Sequence, residues 1–299
     1  ATTRNNNSSR FGKITKMHLD FPEKHYFRVA AAQLRKVEVD TVLLGTTRLT
    51  NLPDNDRSFH ILHGTKKVFQ DLWSDENYHV PFLNPIRELC VDLKANCLGN
   101  APEPEVANDR GTRTPEGWFR YVVEHLVEIG VAEDKICNIF GAIMACCYLL
   151  DVEFEEDQSS GSGETRATPT TQVYFLRAAE LLRMEPQALQ NEVLFKRKKS
   201  PAGGEDLILN NQPPQAKSYC ASLARSVYNL VFNTVVDCIN HHLADLAPEQ
   251  MDDDSGRIMH SQSVGIVDIY GFEQFQTNGF EQLLINYFNE HQHQLFMHE

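Results

Sequence analysis

Residues 263–273 read SVGIVDIYGFE, and the reading of this short run decides where the chemistry of the chain lies. Val264, Ile266, Val267 and Ile269 make its first part β-branched and apolar at the length of one strand, so a central, buried strand is expected. The strand closes on Asp268, with Gly271 and Glu273 just beyond. The carboxyl end of a strand in an open α/β sheet is where ligands bind. A glycine there brings a backbone N–H close to a ligand with no side chain in the way, which suits a phosphate-sensing loop. The same letters also describe a strand ending in an ordinary Asp-initiated turn.

At the other end of the chain, residues 1–13 read ATTRNNNSSRFGK. Ser8 and Ser9 carry small hydroxyls able to ligate a metal or to bond a phosphate oxygen or an attacking water, and Arg10 follows directly. Taken alone, the stretch is a turn-rich polar loop. The two ends gain meaning together. A magnesium–nucleotide site needs hard oxygen ligands, an acid behind them, a backbone N–H on the terminal phosphate and a means of excluding bulk water. Ser9, Asp268, Gly271 and an Arg10–Glu273 ion pair supply all four, provided the fold brings the ends together.

Composition sets the bounds on the rest. A chain of 299 residues with 41% apolar content can bury a sizeable core in one large or two ordinary domains. The net charge of -13, from 41 acidic and 28 basic residues, is no footprint of nucleic-acid binding. Seven cysteines, an odd number in apolar stretches, read as reduced, buried thiols of a cytosolic protein. Neither an apolar run long enough to span a membrane nor a charged-then-apolar leader occurs, so no membrane span and no signal peptide are expected. No initiator Met is present, and the natural polypeptide is expected to begin before Ala1.

Between the two ends the pattern is mostly helical. Residues 11–18 alternate as a strand, and 29–34 and 37–44 read as two more. A turn at 51–55 precedes an approximate helix over 58–73, followed by a loop over 100–114. Thr114-Pro115-Glu116 starts a helix with a capping side chain, a proline at the first position and an acid in the first turn. Its expected apolar stripe is Trp118, Val122, Leu126 and Ile129. Residues 136–150 are apolar nearly all round and predict a buried helix. A strand-sized piece and a disordered-looking insertion over 159–171 come next, then short helices over 173–182 and 186–193, a basic cluster at 196–199 and a Gly-Gly hinge. A long helix is expected over 214–240, with Cys220, Leu223, Val227, Leu230, Thr234 and Cys238 recurring at three-to-four spacing. The chain closes on a charged turn at 248–257, the 263–269 strand and a helix over 281–299 with Leu284, Tyr287, Phe288, His291 and Leu295 on one side and Phe280 just before it.

These stretches carry a resemblance. NNNSSRFGK resembles the switch I signature of myosin motors, DIYGFE resembles their switch II, and FEQLLINYFNEHQHQLF is similar to their relay helix. DRSFHIL, LLRMEPQALQNEVLFKR and AKSYCASLARSVYNLVFNTVVDCIN resemble myosin stretches that lie, in the same order, between the switches. The resemblance implies an α+β, mainly helical fold: a piece of the P-loop NTPase-type motor comprising the upper 50-kilodalton region and part of the central transducer sheet. It implies a partial motor domain over 1–299, with switch I at 1–13, the upper region and returning helix at 14–262, the switch II strand and loop at 263–273, and a truncated relay helix at 274–299.

Carried over by position, Asn5, Ser8, Ser9 and Gly271 bind the nucleotide, Ser9 ligates magnesium and Asp268 holds a magnesium-bound water. Ser8, Arg10, Gly271 and Glu273 act at the terminal phosphate and the lytic water, with Arg10 and Glu273 latching the closed site. The implied function is actin-based, ATP-driven motility with Mg2+ and ATP, an actin filament as partner, light chains or calmodulin bound outside this chain, and a cytoplasmic, cytoskeleton-associated location. The alternative is a catalytically degenerate, myosin-like actin tether or structural protein. No Gly-x-x-x-x-Gly-Lys-Ser/Thr phosphate loop occurs, so residues 1–299 alone are expected to be inactive.

Three stretches depart from the family: YCASLAR has Cys220 and Ala221 where an Arg-Asp pair is common, CYLLD stands for LHLGN, and Gly45-Thr46-Thr47-Arg48 for EKSR. The pairs His241-His242 and His291-Gln292-His293 read as solvated rather than metal-binding. Lys196–Lys199 reads either as an actin contact or as a solvated basic turn.

Overall fold

The structure is a computed structural model. It describes residues 11–22, 33–50, 52, 57–99, 114–157, 164–198, 207–246, 259–269, 271–274 and 278–298. Its elements run β1 (Gly12–Pro22), β2 (Gln33–Val42), α1 (His60–Lys67), α2 (Asn84–Leu89), α3 (Pro115–Glu128), α4 (Glu133–Asp151), β3 (Phe154–Asp157), β4 (Glu164–Ala167), α5 (Gln172–Leu181), α6 (Pro186–Leu194), β5 (Phe195–Lys198), β6 (Leu207–Asn210), α7 (Pro213–Asp245), β7 (Met259–Asp268) and α8 (Phe280–His298). Helices dominate, as the α+β reading requires. They fall into two compact units, one within 46–233 and one within 8–45 and 234–299, with α7 contributing to both.

The first unit is built around α4. Ile136, Phe140, Met144, Cys147, Tyr148 and Leu149 are all fully buried, as the all-round apolar sequence predicts. Phe119 of α3 meets Phe140 edge-on with centroids 5.2 Å apart, and Phe69 extends the stack at 6.0 Å. α1 approaches α3 so closely that a Cβ at Gly64 would sit 2.0 Å from the Pro115 carbonyl oxygen, so only glycine fits. Thr114 caps α3 by accepting from the Gly117 N–H at 3.3 Å.

The end of α4 is tied down by charge. Lys217 of α7 donates to the carbonyls of Leu150 and Val152 at 2.8 and 2.7 Å, satisfying acceptors that a helix end leaves orphaned. Buried Asp151 accepts from the backbone N–H groups of Asn96 and Cys97, both at 2.8 Å, and so caps the short turn at Asn96–Leu98. All seven cysteines are free, and burial pushes the Cys90 and Cys220 thiols up to about 12, which makes them inert.

The second unit holds a three-stranded antiparallel sheet in the order β2-β1-β7. One expectation is corrected there. Among the described residues β7 is not central: it is an outer strand of an antiparallel sheet that starts at Met259, and Val264 and Ile266 on it are exposed. An apolar run shows that a strand suits burial but does not say how many neighbours the chain supplies.

Smaller corrections share one cause: periodicity gives the face a residue shares but not the face that meets a neighbour. On α3 the buried positions are Phe119, Val123 and Leu126 rather than the stripe through Trp118 and Val122. On α7 they are Ala216, Cys220, Ala224, Tyr228, Val231 and Cys238, while Leu230 is exposed. On α8 Ile285 is buried, whereas Leu284, Tyr287 and Leu295 are exposed and Phe280 belongs to the helix. Residues 33–42 form one strand, and the expected strand at 29–34 lies mostly outside the described residues. Within the supposed insertion, Glu164–Ala167 is a strand paired with β3. The basic cluster lies on β5, hairpinned to β6, with Lys199 outside the described residues. The expected loop at 100–114 apart from Thr114, the turn at 51–55 apart from Leu52, and the charged turn at 248–257 also lie outside them.

Two outcomes follow for stability. Asp151→Ala removes the acceptor of the Asn96 and Cys97 N–H groups and should cost about 1 to 3 kcal/mol in denaturant unfolding. His63, beside the Arg57 guanidinium at 3.3 Å, is pushed down to about 3 by burial first and by that charge second. The unfolded imidazole titrates near 6.5, so below that pH the unfolded chain takes up a proton that the folded chain refuses. Stability from this residue is complete above 6.5 and is lost as pH falls towards 3. Unfolding midpoints measured across that window should fall with pH, and His63→Gln should flatten the slope.

Candidate functional site

The site is built by strand pairing. β1 and β7 lie side by side with Lys13 opposite Asp268, Ile14 opposite Val267 and Thr15 opposite Ile266. Chain leaving residue 13 towards the N-terminus and chain leaving residue 268 towards the C-terminus therefore start from one edge of one sheet. Lys13 reaches Asp268 at 3.8 Å, a solvent-exposed pair of small energetic weight. Gly12 makes the junction close. A Cβ there would stand 2.8 Å from Val42 Cγ2 and 3.2 Å from Ile269 Cγ2, so the bare backbone lets Ile269 and Val42 pack across the start of β1.

Of the residues singled out in the sequence, Asp268, Gly271 and Glu273 are described; Asn5, Ser8, Ser9 and Arg10 lie outside the described residues. Asp268 is the last residue of β7, its carboxylate two-thirds exposed and available to further donors. Gly271 faces open space: a Cβ built on it meets nothing within 4 Å. No packing demand among the described residues accounts for glycine there, and its backbone can be approached closely from outside. Asp268 supplies a hard oxygen and Gly271 an unobstructed approach, so both fit a magnesium–phosphate group.

Glu273 is half-buried and its backbone is held from α8. The Glu273 N–H donates to Asn286 Oδ1 and Asn286 Nδ2 donates to the Glu273 carbonyl oxygen, both at 2.7 Å. One carboxamide thus satisfies both backbone groups of one residue, as a neighbouring strand would. Sequence reasoning missed Asn286. A polar residue one position after the buried Ile285 was its only signal. Among the described residues no group of three or more His, Cys, Asp or Glu side chains is placed to hold a metal, and no helix is long and apolar enough to cross a membrane.

The family model for the myosin head (motor domain) matches residues 1–299. The chain belongs to the myosin head family. Among curated proteins this myosin head is similar to Myosin-1 of Pyricularia oryzae, with 29% identity over 297 residues, covering 99% of this chain and 21% of that protein. It is 30% identical to Myosin-1 of Laccaria bicolor over 297 residues, covering 99% of this chain and 21% of the relative. Unconventional myosin-Ic of Danio rerio is 30% identical over 305 residues, covering 99% of this chain and 26% of the relative. The chain thus spans between 21% and 26% of the length of these relatives.

The clamp yields a direct test. Asn286→Ala removes both bonds to Glu273, and hydrogen exchange at the Glu273 amide should quicken by about fivefold or more. Unchanged exchange would show that the segment is held by something other than the carboxamide.

Proposed function

We propose that this myosin head segment is part of an actin-based, ATP-driven motor, in which the two loops leaving the β1–β7 edge close on the terminal phosphate of ATP. The observation that carries the reading is the register that sets Lys13 opposite Asp268. It gives residues 1–13 and 263–273 a common origin, as joint work by switch I and switch II needs. The remaining boundaries carry over as proposed: upper 50-kilodalton region and returning helix at 14–262, relay helix at 274–299. The two loops would complete a P-loop NTPase-type site whose phosphate-binding loop lies elsewhere in the parent protein.

In this reading Asn5, Ser8 and Ser9 orient the phosphates, and Ser9 with Asp268, through a water, holds magnesium. Magnesium when bound neutralises charge building on the phosphate oxygens. The Gly271 N–H donates to the terminal phosphate, and its open approach suits that contact. Ser8 positions the attacking water. Arg10 and Glu273 close over it as an ion pair and exclude bulk solvent. Such a pair contributes little net stability and acts as a latch, because separating the partners leaves each charge stranded. Closure would move the Glu273 backbone, and with it Asn286, so the loop's position passes directly into α8. The partners would be an actin filament and, outside this chain, light chains or calmodulin, in the cytoplasm at the cytoskeleton.

A charge-exchange experiment tests the reading in the full-length protein that carries this chain. Arg10→Glu or Glu273→Arg alone should lower Mg-ATP turnover by about a hundredfold or more, and combining them should restore part of it. Residues 1–299 by themselves should show none. Wild-type turnover in either single variant overturns the latch, and a full-length protein that binds F-actin without hydrolysing ATP identifies a tether instead.

A further inference from the structure

The outer strand of the sheet is gripped by a second carboxamide. Val39 of β2 sits opposite Thr15 of β1, yet its N–H donates to Asn240 Oδ1 at 2.8 Å and its carbonyl accepts from Asn240 Nδ2 at 2.9 Å. Both backbone groups of Val39 therefore point away from β1, along the edge that an outer strand leaves open. Asn240 fills one rung of that edge from α7, 201 positions later in the chain. The bond is directional and reciprocal. Because outward-facing groups on a strand recur only at every second residue, the amide pairs with Val39 or, after a slide of about 6.6 Å, with Val37 or Thr41, and with nothing between.

We propose that Asn240 is a positioning residue that locks α7 in register to the switch-bearing sheet. This rests on the nucleotide reading of the β1–β7 edge given above. β2 pairs with β1 along its length, and β1 pairs with β7, so a hold on Val39 is a hold on the strand that leads out of residues 1–10 and on the one that leads into Gly271. α7 runs unbroken from Pro213 to Asp245, and its earlier part belongs to the other unit. An axial shift or rotation of α7 thus either carries β2 with it or breaks the clamp. Actin bound elsewhere on the motor would reach the nucleotide loops partly by this route. The surroundings of the clamp are polar but committed: Lys16 pairs with Asp40 at 2.6 Å, and Glu38 is bound by Lys36 and His18, so none of them competes for the amide.

The test uses the full-length protein with two variants. Asn240→Ala deletes both bonds, whereas Asn240→Asp keeps the acceptor for the Val39 N–H and loses the donor. Hydrogen exchange at the Val39 amide should quicken by about fivefold or more in Asn240→Ala and by less in Asn240→Asp, which keeps the acceptor. Turnover of Mg-ATP without actin should stay near wild type, while the extra turnover evoked by F-actin should fall by about fivefold or more, with Asn240→Asp the milder. Unchanged Val39 exchange overturns the clamp. Faster exchange with full actin stimulation overturns the positioning role and leaves a local bond. Failure of both variants to fold also overturns it, since the pair would then be structural. A wild-type protein with no Mg-ATP turnover sinks the nucleotide reading and this proposal with it, whereas wild-type turnover with unaltered coupling in the variants sinks this proposal alone.

Discussion

Everything that gives this myosin head segment a site depends on the antiparallel ladder between β1 and β7. Its partners stand near opposite ends of the chain, and closing a flexible loop of that length would cost about 5 kcal/mol in entropy. The intervening residues do not behave as a flexible loop, because those within 46–233 form a compact unit with its own core. Most of their entropy is lost in making that core, so the ladder meets a chain already shortened to a few connections. Once formed, the ten residues of β7 lie in fixed register on β1, and a slip by one would turn every side chain to the other face. The position of Asp268 relative to Lys13 is therefore a consequence of pairing along the whole strand, not of their weak ion pair.

Two asparagines extend this frame to the helices. Asn286 on α8 and Asn240 on α7 each bind both backbone groups of one residue, Glu273 and Val39 respectively. A primary amide carries a donor and an acceptor in the spacing of a peptide group, and so substitutes for a missing strand neighbour where no strand is available. Aspartate lacks the donor, and a hydrophobic residue would leave the backbone groups to water. The two clamps contribute modest energy and high directional specificity.

The first unit provides the rigid counterpart. Fully buried aromatic and aliphatic side chains surround α4, and the polar groups at its end are matched one to one: Asp151 with two N–H groups and Lys217 with two carbonyls. The buried carboxylate of Asp151 is tolerable only with such pairing. Leu150 and Ala221, from two of the stretches noted in the sequence, line one cleft of about 650 Å3 together with Leu49 and Cys97.

Much of this was legible in the residues themselves. The buried helix over α4, the Thr114 cap, the long α7, the strand at β7 and the motifs around Asp268 and Gly271 all follow from composition, spacing and turn chemistry, because they depend on neighbours within a few positions. What the order of residues could not decide was partnership. β7 reads as a central strand and, among the described residues, is an outer one in an antiparallel sheet; Leu230 lies on the expected apolar stripe and is exposed; the bonds made by Asn240 and Asn286 have no local signal. Each of these turns on which distant backbone arrives at a given face. Local periodicity carries no information about that arrival, because a helix or strand offers the same face to any partner until the tertiary fold selects one.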